Sequence, residues 1–216
     1  FMHFKYAKIY IIIFMKTTEN KKIRVAVIGV GNCFSALYQG FGYYAKHKTG
    51  SVPGIMFDNI GGYKPTDIEV VAAFDVDPRK VGKHLSEAIF AKPNCARVFY
   101  PEVDKGPKVM MGHTLDGVSS YMLEQPEDVG FRVSKDKPVD VVKVLKETEA
   151  DILINYLPVG SQQATEYYAQ CAIDAQVAFL NCIPVFIASN PEWEKKFIKA
   201  KLPLIGDDMR SALGAS

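Results

Sequence analysis

The chain has 216 residues, a formal net charge of +2, 48% apolar residues and 23% charged ones. That is a globular profile, long enough for a substantial core, and its near-neutral balance excludes a field able to grip nucleic acid or an acidic membrane surface. No internal repeat, low-complexity tract or run of like charge interrupts it.

The opening FMHFKYAKIYIIIFMK differs in character from the rest of the chain. Its apolar part, Ile9–Met15, is far shorter than the ~20 residues that cross a bilayer. It resembles a signal-peptide core, yet no small-residue cleavage site comes after it. Met15 reads as the natural start, with residues 1–14 as upstream sequence and 15–216 as the folded unit. The alternatives are a signal or anchor, or a genuine extra segment.

IRVAVIG (Ile23–Gly29) is a β-branched apolar run, as expected of a strand buried on both faces. Asn32–Lys46 has apolar residues at helical spacing, with Asn32 as the expected N-cap. A Pro/Gly-marked loop leads to a second buried strand, Asp67–Pro78, which ends in acids. Pro78–Phe90 is predicted helical, with Pro78 in its first turn. The region 91–138 resists placement, apart from a turn at Gly112–Gly117. A short amphipathic helix comes next, at Pro138–Glu149. Strand and helix then alternate: a strand in DILINYLPVGS, a helix at Gln162–Ala175, a strand within Val177–Ser189, a helix capped by Asn190 with Pro191 at its first position, and a last strand in LPLIGDD. This alternation predicts an α/β fold, a doubly wound parallel sheet of Rossmann type.

Gly29-Val30-Gly31 falls between the first strand and the first helix. There the first glycine allows the tight turn, the second lets a pyrophosphate approach the backbone, and the helix N-terminus offers free N–H groups. The third fingerprint position is Phe34 rather than Gly or Ala, which is expected to push the helix off the strand. Asp75 ends the second strand, where a carboxylate can hold both ribose hydroxyls of NAD and repel the extra phosphate of NADP. It lies well beyond the usual spacing of ~20 residues, and the Pro/Gly-rich insertion accounts for the excess. LPVGS (Leu157–Ser161), NCIP (Asn181–Pro184) and GDD (Gly206–Asp208) all fall at the carboxyl ends of later strands, the edge where such sheets bind ligands.

Four cysteines, Cys33, Cys95, Cys171 and Cys182, make no C-x-x-C pair and accompany only four histidines, which argues against a metal site. Cys33, Cys171 and Cys182 read as reduced core thiols of a cytoplasmic protein. His47 and His84 are expected on helix surfaces, and His113 in a turn. Trp193 and Phe197 read as helix packing.

The segments RVAVIGVGNC, VPG, VVAAFDVD, VGKHLSEAIFA, TLDG, NYLPVGS, YAQCAIDA, AFLNCIPVFIAS and GDDMRSALGA occur in this order. Together they resemble myo-inositol-1-phosphate synthase (inositol-3-phosphate synthase) of the actinobacterial and archaeal type, from Lys22 to Ser216. The resemblance implies conversion of D-glucose 6-phosphate to 1D-myo-inositol 3-phosphate. Tightly held NAD oxidises C5, C6 closes onto the C1 aldehyde in an intramolecular aldol step, and the NADH formed reduces the ketone. It also implies cofactor contacts from Gly29, Gly31, Asn32 and Cys33 (pyrophosphate), Asp75 (adenosine ribose), Leu157, Pro158, Gly160, Ser161 and Asn181 along the cofactor, and Asp208 and Ser211 near the nicotinamide. The family's catalytic lysines lie beyond Gly-Asp-Asp, in a β-rich catalytic and tetramer-forming domain and a returning C-terminal segment. No position of this chain matches them, and Lys195, Lys196, Lys199 and Lys201 read as a solvated helix face. The expectation is therefore an incomplete Rossmann domain, inactive alone, with exposed apolar surface, poor solubility and little tetramer. Rival readings are another NAD-dependent sugar or amino-acid dehydrogenase, distinguished by net redox change, and a stand-alone non-catalytic NAD-binding module.

Overall fold

The computed structural model describes residues 22–46 and 54–209. The expectations for residues 1–14, His47 and Ser211 lie outside them.

Six parallel strands form one sheet: β1 (Ile23–Ile28), β2 (Ile68–Asp75), β3 (Val109–Met111), β4 (Ile152–Asn155), β5 (Ala178–Asn181) and β6 (Leu204–Ile205), in the order β3-β2-β1-β4-β5-β6. Alternate residues of the central strands feed two cores. Ala26, Ile28, Ala72 and Phe74 face α4 (Val141–Glu147), α5 (Gln162–Ala175) and α6 (Pro191–Ala200) through Leu145, Tyr168, Trp193 and Phe197. Val27, Val70 and Ala73 face α1 (Asn32–Lys46) and α2 (Leu85–Ala88) through Phe34, Tyr38 and Leu85. Helices thus cover both faces, as the doubly wound reading requires. Successive strands depart in opposite directions on either side of β1, so the sheet has its switch point, and its crevice, at the carboxyl ends of β1 and β4. No helix among the described residues is long and apolar enough to cross a membrane.

Local chemistry explains the helix limits. The Asn190 side chain accepts from Glu192 N–H, Pro191 opens α6, and Lys201 closes it in the left-handed region. Asp140 caps α4 by accepting from Lys143 N–H. At α1 the cap differs from expectation. Gly31 C=O accepts the first helical bond, from Ser35 N–H, so Asn32 already lies inside the helix and its side chain is engaged elsewhere.

The predicted helix over Pro78–Phe90 is mostly absent. Gly82 takes φ +81°, and the segment around it runs beside β3. Gly82 N–H donates to Val109 C=O and Val109 N–H to Lys83 C=O. His84 bridges to Lys108 and its Nδ1 lies 2.9 Å from Gly106 O, so it is a half-buried tie rather than a helix-surface residue. Only α2 remains helical. Within 91–138 the chain forms β3, the one-turn α3 (Ser120–Glu124) and long connections held from a distance. Fully buried Gln39 is one anchor, accepting from Phe99 and Tyr100 N–H and donating to Arg97 O. Large apolar side chains are exposed at Met56, Phe57 and Ile60 before β2, and at Phe186, Ile198 and Ile205 near β6.

Candidate functional site

A cavity of about 650 Å³ opens at the switch point. Its first wall is the β1–α1 turn. Gly29 N–H continues the sheet by donating to Phe74 O at 2.9 Å. Gly29 has φ +87°, and a Cβ there would sit 2.7 Å from Tyr156 O, so only glycine fits. A Cβ on Gly31 would meet nothing within 4 Å, so this backbone faces open space next to the N-terminus of α1. Phe34 is fully buried beneath the turn and fills the space between helix and sheet. Asn32 accepts from Cys95 N–H at 2.9 Å and places its Nδ2 3.1 Å from Cys95 Sγ, pinning the 94–96 loop to the cavity mouth.

Asp75 stands at the second wall, and its carboxylate is engaged. Oδ2 accepts from Val30 N–H (2.8 Å), and Oδ1 from Val76 N–H (2.7 Å) and Asp77 N–H (3.0 Å). Lys80, 5% exposed, donates to Val30 O at 2.7 Å and lies 3.8 Å from Asp75 Oδ2. Asp77 is also buried. It accepts from Arg79 Nε (2.8 Å) and Nη2 (2.5 Å), and from Arg132 N–H (3.0 Å). Burial pulls the Asp77 carboxyl up, but the Arg79 guanidinium and the N–H donors outweigh it and hold the group below its ordinary value of 3.8. A depressed carboxyl contributes stability that is complete above the ordinary value and lost as pH falls through the lowered one. Urea midpoints measured from neutral pH downward are therefore expected to fall on the acid side, and to fall less steeply in Asp77→Asn. Equal slopes would exclude Asp77 as a source of acid sensitivity.

The third wall joins the ends of β4, β5 and β6. Asn155, fully buried, donates to Asn181 Oδ1 (2.9 Å) and Thr165 Oγ1 (3.2 Å) and accepts from Leu157 N–H (3.1 Å). Asn181, also fully buried, donates to Val185 O (2.6 Å) and Asp207 Oδ1 (2.8 Å). Asp207 accepts further from the N–H groups of Ile187, Ala188 and Ser189, each at 3.0 Å. Asp208, with φ +56°, is turned to the cavity. From the other side, Asp116 accepts from Gln163 and Ala164 N–H (2.7 and 2.9 Å), so the N-terminus of α5 is already capped by a carboxylate.

Of the residues singled out in the sequence, Gly29, Gly31, Asn32, Cys33, Asp75, Leu157, Pro158 and Asp208 line this one cavity. Asn181 and Ser161 have no exposed surface and act from behind the wall, and Gly160 also stands off it. His113 lines the cavity, with its ring 4.5 Å from that of Tyr167. Lys80, Asn155, Asp116 and Asp207 were not singled out. No signal in a single sequence marks a lysine as buried, or an aspartate as a cap for a distant helix.

Cys182 and Cys171 are buried free thiols, both pushed up to about 11 by burial, whereas Cys95 is exposed. Alkylation of the folded protein at neutral pH is expected to label Cys95 and spare Cys171 and Cys182 until denaturant is added, as read by peptide mass spectrometry. Equal labelling of all three without denaturant would contradict the packing described.

No family model matches the chain. Inositol-3-phosphate synthase of Mycolicibacterium smegmatis is 52% identical over 196 residues, covering 90% of this chain and 53% of that protein. The Mycobacterium tuberculosis protein of the same name is 49% identical, and that of Corynebacterium glutamicum 47%, each over 90% of this chain and 52% of its own length. Among solved structures, Ari2 superposes with a TM-score of 0.72 at 38% identity, over 87% of this chain and 52% of that one. A myo-inositol-1-phosphate synthase-related protein from Thermotoga maritima, at a TM-score of 0.65 and 23% identity over 90% of this chain and 55% of its own, shares the fold. Over nine-tenths of its length the chain is similar to proteins named inositol-3-phosphate synthase, and it spans about half the length of those relatives.

Proposed function

We propose that this chain is the NAD-binding part of an inositol-3-phosphate synthase, a cytoplasmic enzyme that converts D-glucose 6-phosphate to 1D-myo-inositol 3-phosphate and works as a homotetramer when complete. The observation that carries the reading is the convergence of the open Gly31 backbone, the β2-terminal Asp75 and Asp208 on one switch-point cavity. Its volume of about 650 Å³ lies within the ~300–1,000 Å³ of cofactor pockets. Bound there, NAD supplies a hydride acceptor that is regenerated within the same turnover.

The chain's own residues bind and orient. The Gly29–Gly31 turn and the first N–H groups of α1 receive the pyrophosphate. Asp75 fixes the turn at the ribose end through Val30 N–H. Leu157, Pro158 and Asp208 border the nicotinamide end, and Phe131 adds apolar surface to the cavity wall. Lys195, Lys196 and Lys199 lie on the exposed face of α6, with Lys196 over the Trp193 ring, and none lines the cavity. On the resemblance, the groups that hold sugar phosphate and polarise its carbonyl are assigned to the other half of the relatives' length.

Incubation of the 216-residue chain with NAD and glucose 6-phosphate tests the split. The expected result is cofactor binding without inositol phosphate and without net NADH. Accumulation of NADH in step with sugar loss would favour a dehydrogenase. Turnover at the rate of complete family members would overturn the assignment of catalysis elsewhere.

A further inference from the structure

The segment after β3 leaves the sheet and returns to it at almost the same place. Gly112 N–H donates to Asp75 O at 2.9 Å and Ser134 N–H to Val76 O at 2.8 Å. Residues 112–134 thus form a strap hung from two adjacent residues at the β2 end. Further ties secure both limbs. His113 N–H donates to Tyr168 Oη at 3.1 Å on the outgoing side. On the returning side Arg132 N–H donates to Asp77 Oδ2 at 3.0 Å, and Arg79 Nη2 donates to Gly130 O at 2.9 Å. The inner surface of the strap belongs to the cavity, which Leu115, Val118, Met122, Val129 and Phe131 all line.

The middle of the strap has little to hold it. No residue from Thr114 to Val129 is buried, and among the described residues the hydrogen bonds of 117–126 stay within the strap. A segment with so few outside contacts opens at low cost. One side chain crosses to the opposite wall. The Asp116 carboxylate accepts from Gln163 N–H (2.7 Å) through one oxygen and from Ala164 N–H (2.9 Å) through the other. These donors belong to the first turn of α5, where a carboxylate also meets the positive end of the helix dipole. Ser161, the N-cap residue of α5, does not compete, because its hydroxyl donates to Pro158 O at 2.5 Å. Gly117 lets the strap lie close, since a Cβ there would sit 3.0 Å from Ser161 Oγ.

Building on the dinucleotide reading above, we infer that Asp116 is a latch: it holds the strap across the cavity and sets how slowly the bound dinucleotide leaves. The hinge is the Asp75–Val76 pair, and the N-terminus of α5 is the catch. A cofactor regenerated within the same turnover has no need to leave, so a slow-release cover fits the proposed reaction.

Stopped-flow release of NADH, chased with excess ADP-ribose, tests this in the wild type, Asp116→Ala, Asp116→Asn and Asp140→Ala. Asp140 caps α4 in a comparable way, through Lys143 N–H, and does not line the cavity. Asp116→Ala is expected to speed release about tenfold, with association no slower than in the wild type. Asp116→Asn keeps a capping oxygen and is expected to stay within about threefold of the wild type. Asp140→Ala is expected to lower stability and leave release unchanged. Release within about twofold of the wild type in a folded Asp116→Ala protein overturns the inference. Equal acceleration in Asp140→Ala also overturns it, because the effect would then be general loosening. Weaker binding that comes from slower association alone would make Asp116 a support for the cavity wall, and overturns it too. If Asp116→Ala loses its cooperative melt, amide exchange of the wild type decides. Residues 117–126 are expected to exchange about tenfold more slowly with NADH bound, and an unchanged rate overturns the inference. Failure of the folded wild type to bind NADH overturns the dinucleotide reading itself.

Discussion

Replacing Gly29 with valine is expected to cost about 2–6 kcal/mol of stability, a large share of a whole margin of ~5–15 kcal/mol. Two effects add. The backbone is at φ +87°, which a β-branched residue adopts at a cost of roughly 1–3 kcal/mol. The new Cβ would also lie 2.7 Å from the Tyr156 carbonyl oxygen and 2.9 Å from its carbon, both backbone atoms that cannot rotate away, at an overpacking cost of ~1–3 kcal/mol. Gly31→Ala makes the contrasting case. Its Cβ meets no protein atom within 4 Å. The melting temperature is expected to stay within about 2 °C while NADH binding weakens roughly tenfold, because the methyl occupies space into which the pyrophosphate must come. Urea denaturation of both variants, beside NADH titration of Gly31→Ala, checks the pair. A Gly29→Val protein as stable as the parent would show that the turn is not built as described.

Asn181→Ala is expected to cost about 3–5 kcal/mol, although it removes only a small side chain. Asn181 is fully buried and links three strand ends. Its loss strands Val185 O, one Asn155 N–H and part of the Asp207 carboxylate, and buried polar groups without partners are costly. Because Asp207 gathers the N–H groups of 187–189, the β6 end that presents Asp208 is expected to loosen as well. Faster amide exchange at 185–189 in the variant would report this. A stability loss under about 1 kcal/mol would mean that the network is dispensable.

The fold was legible where local chemistry and burial agree. The β-branched run 23–28 and the helices α5 and α6 came out at or near their predicted limits, because apolar periodicity and, at α6, the Asn190 cap and Pro191 act over a few residues. Pro78–Phe90 misled because Gly82 sits amid helix formers yet takes a positive φ, and its neighbours pair with β3, far along the chain. Region 91–138 stayed opaque for the same reason, since buried Gln39 and Arg79 anchor it from far away in sequence.

At the site, the turn glycines and Asp75 were readable from their place between elements. Asn32 and Asn181 show the limit. Both are polar residues at an element end, where a ligand contact, a cap and a buried network share one sequence signature. Packing made Asn32 a loop tether and Asn181 an internal bridge. Lys80 was unreadable because the Asp75 carboxylate and the Val30 carbonyl that hold its ammonium neighbour it only after the turn has formed.

The central claim, that the switch-point cavity holds a nicotinamide dinucleotide, is tested most directly by calorimetric titration of the folded protein with NADH. The account predicts saturable binding at one site per chain, displaced by ADP-ribose and lost in Gly31→Asp, whose carboxylate would face the incoming pyrophosphate. A cooperatively folded protein that takes up no heat-detectable NADH at millimolar concentration, or binds it unchanged in Gly31→Asp, would contradict it.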